Sequence, residues 1–259
     1  MDVAHGSAKA GGTERAAVNA QISYPADIVR RYDRDRFLLG MTVPGNRRDA
    51  LWALFAFNHE IAKTREVVSE PTLGLIRLQW WRDAIEKLYA GTVLQHEVLT
   101  ALAATIRDYA LPRARFDELI DARERDLENR PLSSFADLER YADATSTPLN
   151  RLVLKVLGQE EPEEKIRDVS TAFALTGLLR AVAYRDNFLP HGVKTGELVE
   201  RIGGKLDAAK PLRGYLKASA ALTMLYLARI KRHDYDPTKA AVNAPPVTFA
   251  VKALAGRFR

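Results

Sequence analysis

Apolar residues recur at intervals of three and four along almost the whole chain, and this periodicity limits the fold more than any other feature. One face of an α-helix repeats every 3.6 residues, so such spacing predicts amphipathic helices. A clear example runs through Leu75, Leu78, Ile85 and Leu88. The alternating β-branched residues that are typical of strands are nearly absent. The sequence therefore predicts an all-α fold.

Proline, glycine and short polar clusters divide this pattern into helical segments. In the first segment, which opens at Tyr24, we expect Ile28, Tyr32 and Leu39 to line one side. No internal repeat or linker stands out, so residues 22–259 are predicted to form one domain. Residues 1–21 are rich in Ala, Gly and Ser without an apolar signal core, and we expect a disordered tail there. After the first segment, which ends at the break 43–46, a helix is predicted to include 51–62, another to run from the break at 69–72 to Gly91, and another to begin near Phe116 and carry the charged face 121–128. The other predicted helices are 98–109, 137–144, 149–157, 163–184, 195–202 and 212–231.

Composition excludes several classes of function. The chain has no cysteine, which excludes a disulfide framework, thiolate metal sites and a cysteine nucleophile. No apolar run approaches the roughly 20 residues that cross a bilayer. The formal net charge of +6 allows an acidic partner such as an anionic lipid, a diphosphate or an acidic protein surface. A nucleic-acid partner is not expected, because basic and acidic side chains alternate in residues 121–126 and do not form a continuous basic stripe.

Several motifs along the chain resemble the squalene/phytoene synthase family. The resemblance implies an isoprenoid-synthase type of fold, a single helical bundle around a central cavity. It covers most of the chain outside the N-terminal tail. The residues that carry it are 50–58 (ALWALFAFN), 80–82 (WWR), 88–91 (LYAG), 111–112, 126–127, 138–141 (LERY), 174–180 (ALTGLLR) and 188–190 (FLP).

The same resemblance implies two magnesium sites, each made by aspartates four residues apart on one of two facing helices. Magnesium prefers such oxygen ligands and would hold the diphosphates of two prenyl donors that are joined head to head. Here the first pair of positions holds Ala62 and Glu66, and the second holds Ala181 and Arg185. One carboxylate of four remains, and an arginine repels a metal ion. We therefore expect no magnesium, no other cofactor and no catalytic residue.

Within this superfamily, three segments resemble the branch that contains mitochondrial complex I assembly factor 6. They are 56–62 (AFNHEIA), 68–81 (VSEPTLGLIRLQWW) and 121–125 (DARER). That branch has likewise lost the aspartates. The resemblance implies a non-catalytic role in assembling respiratory NADH dehydrogenase, with its subunits or other assembly factors as partners. A magnesium-dependent prenyl synthase and an isoprenoid- or lipid-binding module remain as alternatives. We expect a cytoplasmic location, with peripheral attachment to the inner membrane (the matrix side in a eukaryote) as an open alternative.

A remnant of the old cavity would draw on six candidate residues. Asn58 and His59 would bind a polar head group or form an ordinary hydrogen-bonded pair in a helix. Glu66 would be a residual ligand or a surface group paired with a base. Arg180, Tyr184 and Arg185 would form a metal-free anion pocket, or bind acids on a neighbouring helix.

Two further features have more than one interpretation. Trp80 and Trp81 would fill the core, line the cavity or anchor a partner, and core filling is the ordinary role of large aromatic residues. The apolar and basic stretch 247–259 would rest on an anionic membrane or pack as a last helix.

Overall fold

The computed structural model describes residues 22–128, 130, 132–182, 189–239, 242 and 249. Within these ranges the chain forms helices and no strand, which confirms the predicted all-α class. A 3-10 turn at Glu124–Leu127 follows the seventh helix. The helices are α1 Tyr24–Tyr32, α2 Arg34–Met41, α3 Gly45–Ala62, α4 Thr64–Val67, α5 Pro71–Tyr89, α6 Glu97–Tyr109, α7 Arg113–Ala122, α8 Phe135–Leu157, α9 Glu163–Ala181, α10 Thr195–Ala208 and α11 Gly214–Arg232.

The long helix α8 lies at the centre of the packing. It contacts α3, α7 and α9, and α9 in turn packs against α10 and α11. The short helices α1 and α2 close one side, where α1 packs on α3 and α2 contacts both α3 and α11. Fully buried Leu, Phe and Trp side chains from these helices form a single hydrophobic cluster. The two segments that resemble the magnesium-binding helices, in α3 and α9, are therefore both held by α8.

The first predicted helix is wrong in one respect, because the chain forms two helices there. Asp33 ends α1 and begins α2, and its side chain accepts a hydrogen bond from the backbone N–H of Arg36 at 3.1 Å. An aspartate in this capping position satisfies a helix-start donor that has no partner within the helix. The interruption turns the chain, so Ile28 and Leu39 are buried whereas Tyr32 is exposed.

A second difference concerns α8, for which the sequence predicted two helices with a break before Leu149. The structure has one continuous helix with Pro148 inside it. Proline removes one backbone hydrogen bond, but residues 145–150 are buried, and their packing against neighbouring helices holds the helical path. Ser134 caps the start of α8, and Gly158 ends it in the left-handed conformation with φ 63°. Helix α10 also continues to Ala208, past the end predicted at residue 202.

Helix α5 is buried on one face and exposed on the other. Gly74, Leu78, Trp81, Ala84 and Ile85 face the interior. A side chain at position 74 would collide with Leu127, since a Cβ there would lie 2.4 Å from its Cδ2. The predicted repeat in this helix is therefore correct for Leu78 and Ile85 and wrong for Leu75, which is exposed.

Candidate functional site

Two of the candidate residues, Asn58 and His59, lie in the last turn of α3. Asn58 is buried, and its Oδ1 accepts a hydrogen bond of 3.4 Å from Arg123. Arg123 also donates to the hydroxyl of Tyr141 at 3.3 Å. The amide of Asn58 is thus part of an internal polar network that ties α3 to α8.

His59 contacts the junction between α1 and α2. Its ring stacks on Tyr32 with 4.8 Å between ring centres and 9° between planes. Burial and the nearby Lys63 lower the pKa of His59 below its ordinary value. The imidazole is therefore neutral at pH 7, which suits a stacked ring.

Glu60 follows these two residues and was not among the sequence-based candidates. Its carboxylate is buried and pairs with Lys63 at 2.6 Å and with Arg77 of α5 at 3.0 Å. The three-residue spacing to Lys63 was a readable signal, because such pairs meet on one helix face. The contact with Arg77 depends on how α5 packs.

Arg180 lies one residue before the end of α9 and contacts two other helices. Its guanidinium donates to Asp35 Oδ2 at 2.5 Å and lies over the ring of Tyr226 with 3.6 Å to the ring centre. The hydroxyl of Tyr226 donates to Asp35 Oδ1 at 2.7 Å. Burial, together with the Asp35 carboxylate, raises the pKa of Tyr226. We call these three residues the Asp35 triad, which joins α2, α9 and α11.

Two small cavities adjoin the Asp35 triad. The inner one, of about 110 Å³, is lined by Asp33, Asp35, Arg36, Phe173, Thr176, Gly177, Arg180, Thr223 and Tyr226. The outer one, of about 270 Å³, is lined by Arg31, Tyr32, Asp33, Arg34, Asp35, Arg180 and Tyr226. Sequence reasoning found Arg180 in this set but missed Asp33, Asp35 and Tyr226. Asp35 and Tyr226 are 191 residues apart, so no local pattern connects them.

The described part of the chain does not fit a magnesium ion. Ala62 and Ala181 are the last residues of α3 and α9 and carry no ligand atom. The carboxylates that line the cavities are neutralised, Asp33 by Arg36 at 2.6 Å and Asp35 by Arg180. Among the described residues no group of three His, Asp or Glu side chains is placed to hold a metal ion.

The remaining candidates are not brought into this site. Glu66 is exposed on the short helix α4. Tyr184 and Arg185 lie outside the described residues, and so does the stretch 247–259 apart from the buried Phe249. The two tryptophans separate, because Trp81 is fully buried and Trp80 is 40% exposed. None of the described helices is both long and apolar enough to cross a membrane.

The helical bundle, with two small cavities lined by charged residues, leads to the class of protein. The chain belongs to the squalene/phytoene synthase family, whose sequence model matches residues 29–190. A solved structure of a dehydrosqualene synthase superposes with a TM-score of 0.74 over 90% of this chain and 94% of that one, at 16% identity. This match confirms the isoprenoid-synthase type of fold that the motifs implied.

Within the family, the chain is similar to NADH dehydrogenase (ubiquinone) complex I, assembly factor 6. The Rattus norvegicus protein is 30% identical over 248 residues, which cover 82% of this chain and 74% of the relative. The Homo sapiens protein is 27% identical over 230 residues, which cover 84% of this chain and 68% of the relative. Both relatives are therefore longer than the region that they share with this chain.

Proposed function

We propose that this protein assists the assembly of respiratory NADH dehydrogenase and carries out no magnesium-dependent prenyl transfer. The observation that carries the proposal is the similarity to complex I assembly factor 6 over more than four-fifths of the chain. The Asp35 triad supports it, because Arg180, which lines both cavities, already has a carboxylate partner.

The lining of the cavities argues against the two alternatives. A prenyl synthase needs cationic metal to compensate the charge that develops on departing diphosphate. The two carboxylates that line the cavities, Asp33 and Asp35, are paired with arginines instead. Pockets for apolar ligands usually measure about 300–1,000 Å³ and have mostly hydrophobic walls. The outer cavity is smaller and is lined mainly by charged residues, so an isoprenoid chain fits it poorly.

The proposal includes peripheral attachment to the inner membrane, where the membrane arm of NADH dehydrogenase is built. The net charge of +6 and the basic residues of the stretch 247–259 support it. Each basic residue near an anionic surface contributes about 1 kcal/mol, so attachment would be weak and sensitive to salt.

Deletion of the gene tests the proposed function. Assembled NADH dehydrogenase, measured by native gel electrophoresis and by NADH oxidation in isolated membranes, should fall, and re-expression should restore it. Squalene, hopanoid and carotenoid levels should stay unchanged. Lost isoprenoids with normal NADH dehydrogenase would show that the protein is an enzyme of prenyl metabolism.

Purified protein provides a second test. Incubation with farnesyl diphosphate or geranylgeranyl diphosphate and magnesium should release no diphosphate. Magnesium with a diphosphate analogue should also leave the melting temperature unchanged, because a ligand of the folded state would raise stability by RT ln(1 + [L]/Kd). Steady diphosphate release or a metal-dependent rise in melting temperature would contradict the proposal.

A further inference from the structure

The outer face of α5 is an apolar surface on a helix whose other face is buried. Leu73, Ile76 and Trp80 are 47%, 63% and 40% exposed. They are three and four residues apart, so they form one stripe along the helix. Leu75, on a neighbouring side of the helix, and Val67, which precedes the helix on α4, are also exposed. We call these five residues the α5 face.

The α5 face holds five of the twelve large apolar residues that are exposed in the described part of the chain. Single exposed apolar residues are ordinary, whereas a contiguous group marks an interaction site. Helix α5 packs against α4, α6, α7 and the 3-10 turn through its opposite face. No described element covers Leu73 and Ile76.

Four of the five residues of the α5 face lie in the sequence segment 68–81, one of three that resemble the assembly-factor branch. Part of that segment is explained by internal packing, since Gly74 allows the close approach of Leu127. Leu75 and Ile76 have no such internal role, because both side chains point to solvent. They serve neither the core nor the two cavities.

Acidic side chains surround the α5 face. Glu70 immediately precedes the helix, and Asp83 lies on the same side of the helix about one turn beyond Trp80. Glu97 follows His96, whose ring is 5.9 Å from that of Trp80. Within the described residues, none of these three acids forms an ion pair with a base.

The basic side chains in this region either form ion pairs within the protein or lie further from the apolar stripe. Arg77, next to the stripe, is bound to Glu60, which also holds Lys63. Arg65 precedes Val67 by two residues, and Lys87 lies one turn beyond Asp83. Among the described residues, the charges next to the apolar stripe that have no opposite partner are therefore acidic, although the chain as a whole is basic.

From this arrangement we propose that the α5 face binds an apolar helix of another protein that carries lysine or arginine at its edges. The stripe from Leu73 to Trp80 spans about 10 Å, which matches about two turns of a helix packed ridge into groove. A second copy of this chain would bring acid against acid, and an anionic membrane would repel Glu70, Asp83 and Glu97. This inference rests on the proposed function, since it describes how a partner in assembly would be held.

Photo-crosslinking in the native host identifies the occupant. Ile76 is replaced by benzoylphenylalanine, which keeps the site apolar, and the crosslinked peptide is sequenced by mass spectrometry. The matched control places the same residue at Met224 on α11, which is 49% exposed. We expect a crosslink from position 76, absent from position 224, to one apolar segment with basic edges in a different protein.

The captured segment is then made as a peptide, and its affinity is measured by fluorescence anisotropy. Ile76→Glu should weaken binding about tenfold or more, because it puts a charge at the centre of the contact. Glu97→Lys should weaken binding and reduce its dependence on salt. Met224→Glu should leave the dissociation constant unchanged. Crosslinks only to lipid or to a second copy, no crosslink at all, or unchanged affinity in Ile76→Glu would overturn the proposal.

The same variants separate this inference from the proposed function. If deletion of the gene lowers NADH dehydrogenase but Ile76→Glu restores it fully, the α5 face is not the partner site and the assembly role stands. If deletion leaves NADH dehydrogenase unchanged while the crosslinked helix still binds, the surface stands and the assembly role fails.

Discussion

The Asp35 triad and the α5 face differ in whether their side chains have partners within the protein. In the triad, polar groups from three helices satisfy one another beside the two cavities. On the α5 face, apolar side chains are left in water and the bordering acids have no basic partner within the described residues. A charge that already has a partner contributes little to binding another molecule. Exposed apolar surface can still be buried against a partner, and that burial lowers the free energy. This difference supports the proposal that a partner binds on the outside of this bundle, at the α5 face, and not at the two cavities.

The adjacent tryptophans of α5 test this contrast with the largest expected effect. Trp81→Ala should lower the free energy of unfolding by about 3–5 kcal/mol, because it leaves a cavity in the core. Trp80→Ala should cost about 1 kcal/mol, since that side chain is partly exposed. Urea denaturation followed by far-UV circular dichroism measures both. Equal losses would mean that Trp80 is as much a part of the core as Trp81.

The Asp35 triad should show strong coupling between its charges. Asp35→Asn should cost about 2–3 kcal/mol, below the range for fully buried pairs, because Arg180 and Asp35 are 20% and 18% exposed. Adding Arg180→Gln should then cost much less than Arg180→Gln alone, which a double-mutant cycle by urea denaturation shows. Asp108→Asn, in the exposed pair with Arg107, is the control and should change stability by less than about 0.5 kcal/mol. Additive effects of Asp35→Asn and Arg180→Gln would mean that the contact is not energetically coupled.

Introducing a charged side chain on the α5 face should have little effect on stability. Ile76→Glu is expected to change the free energy of unfolding by less than about 0.5 kcal/mol, as exposed positions usually do. Met224→Glu on α11 should behave alike. A loss above about 1 kcal/mol at Ile76 alone would show that part of the chain covers this side chain and would remove it from the binding surface.

The smallest expected effect concerns His59. Burial and the nearby Lys63 lower the pKa of its imidazole. The unfolded histidine takes up a proton near its ordinary pKa of 6.5, whereas the folded one does so only at lower pH. The contribution of His59 to the free energy of unfolding is therefore constant above about pH 6.5 and becomes destabilising as the pH falls below that value. His59→Gln should flatten the decline in stability between about pH 7.5 and pH 5.5, and a steeper decline would contradict the assigned direction.

The sequence by itself determined the helical class, because a period of 3.6 residues is a local property that needs no knowledge of the fold. The resemblance of its motifs to the family also implied that Ala62 and Ala181 stand where the family has aspartates, which stays a prediction. Local signals failed where two helices replaced one at Asp33 and where Pro148 lies within α8, because capping and burial outweighed the pattern.

The tertiary structure alone decided which charges meet and which apolar residues remain exposed. Arg180 finds Asp35 at a separation of 145 residues, and Trp80 differs from Trp81 only in the direction it faces on α5. Each outcome depends on how whole helices pack, and packing sums many weak contacts between residues that are distant in the chain. No window of sequence contains both partners of such a contact, so its geometry had to come from the folded molecule.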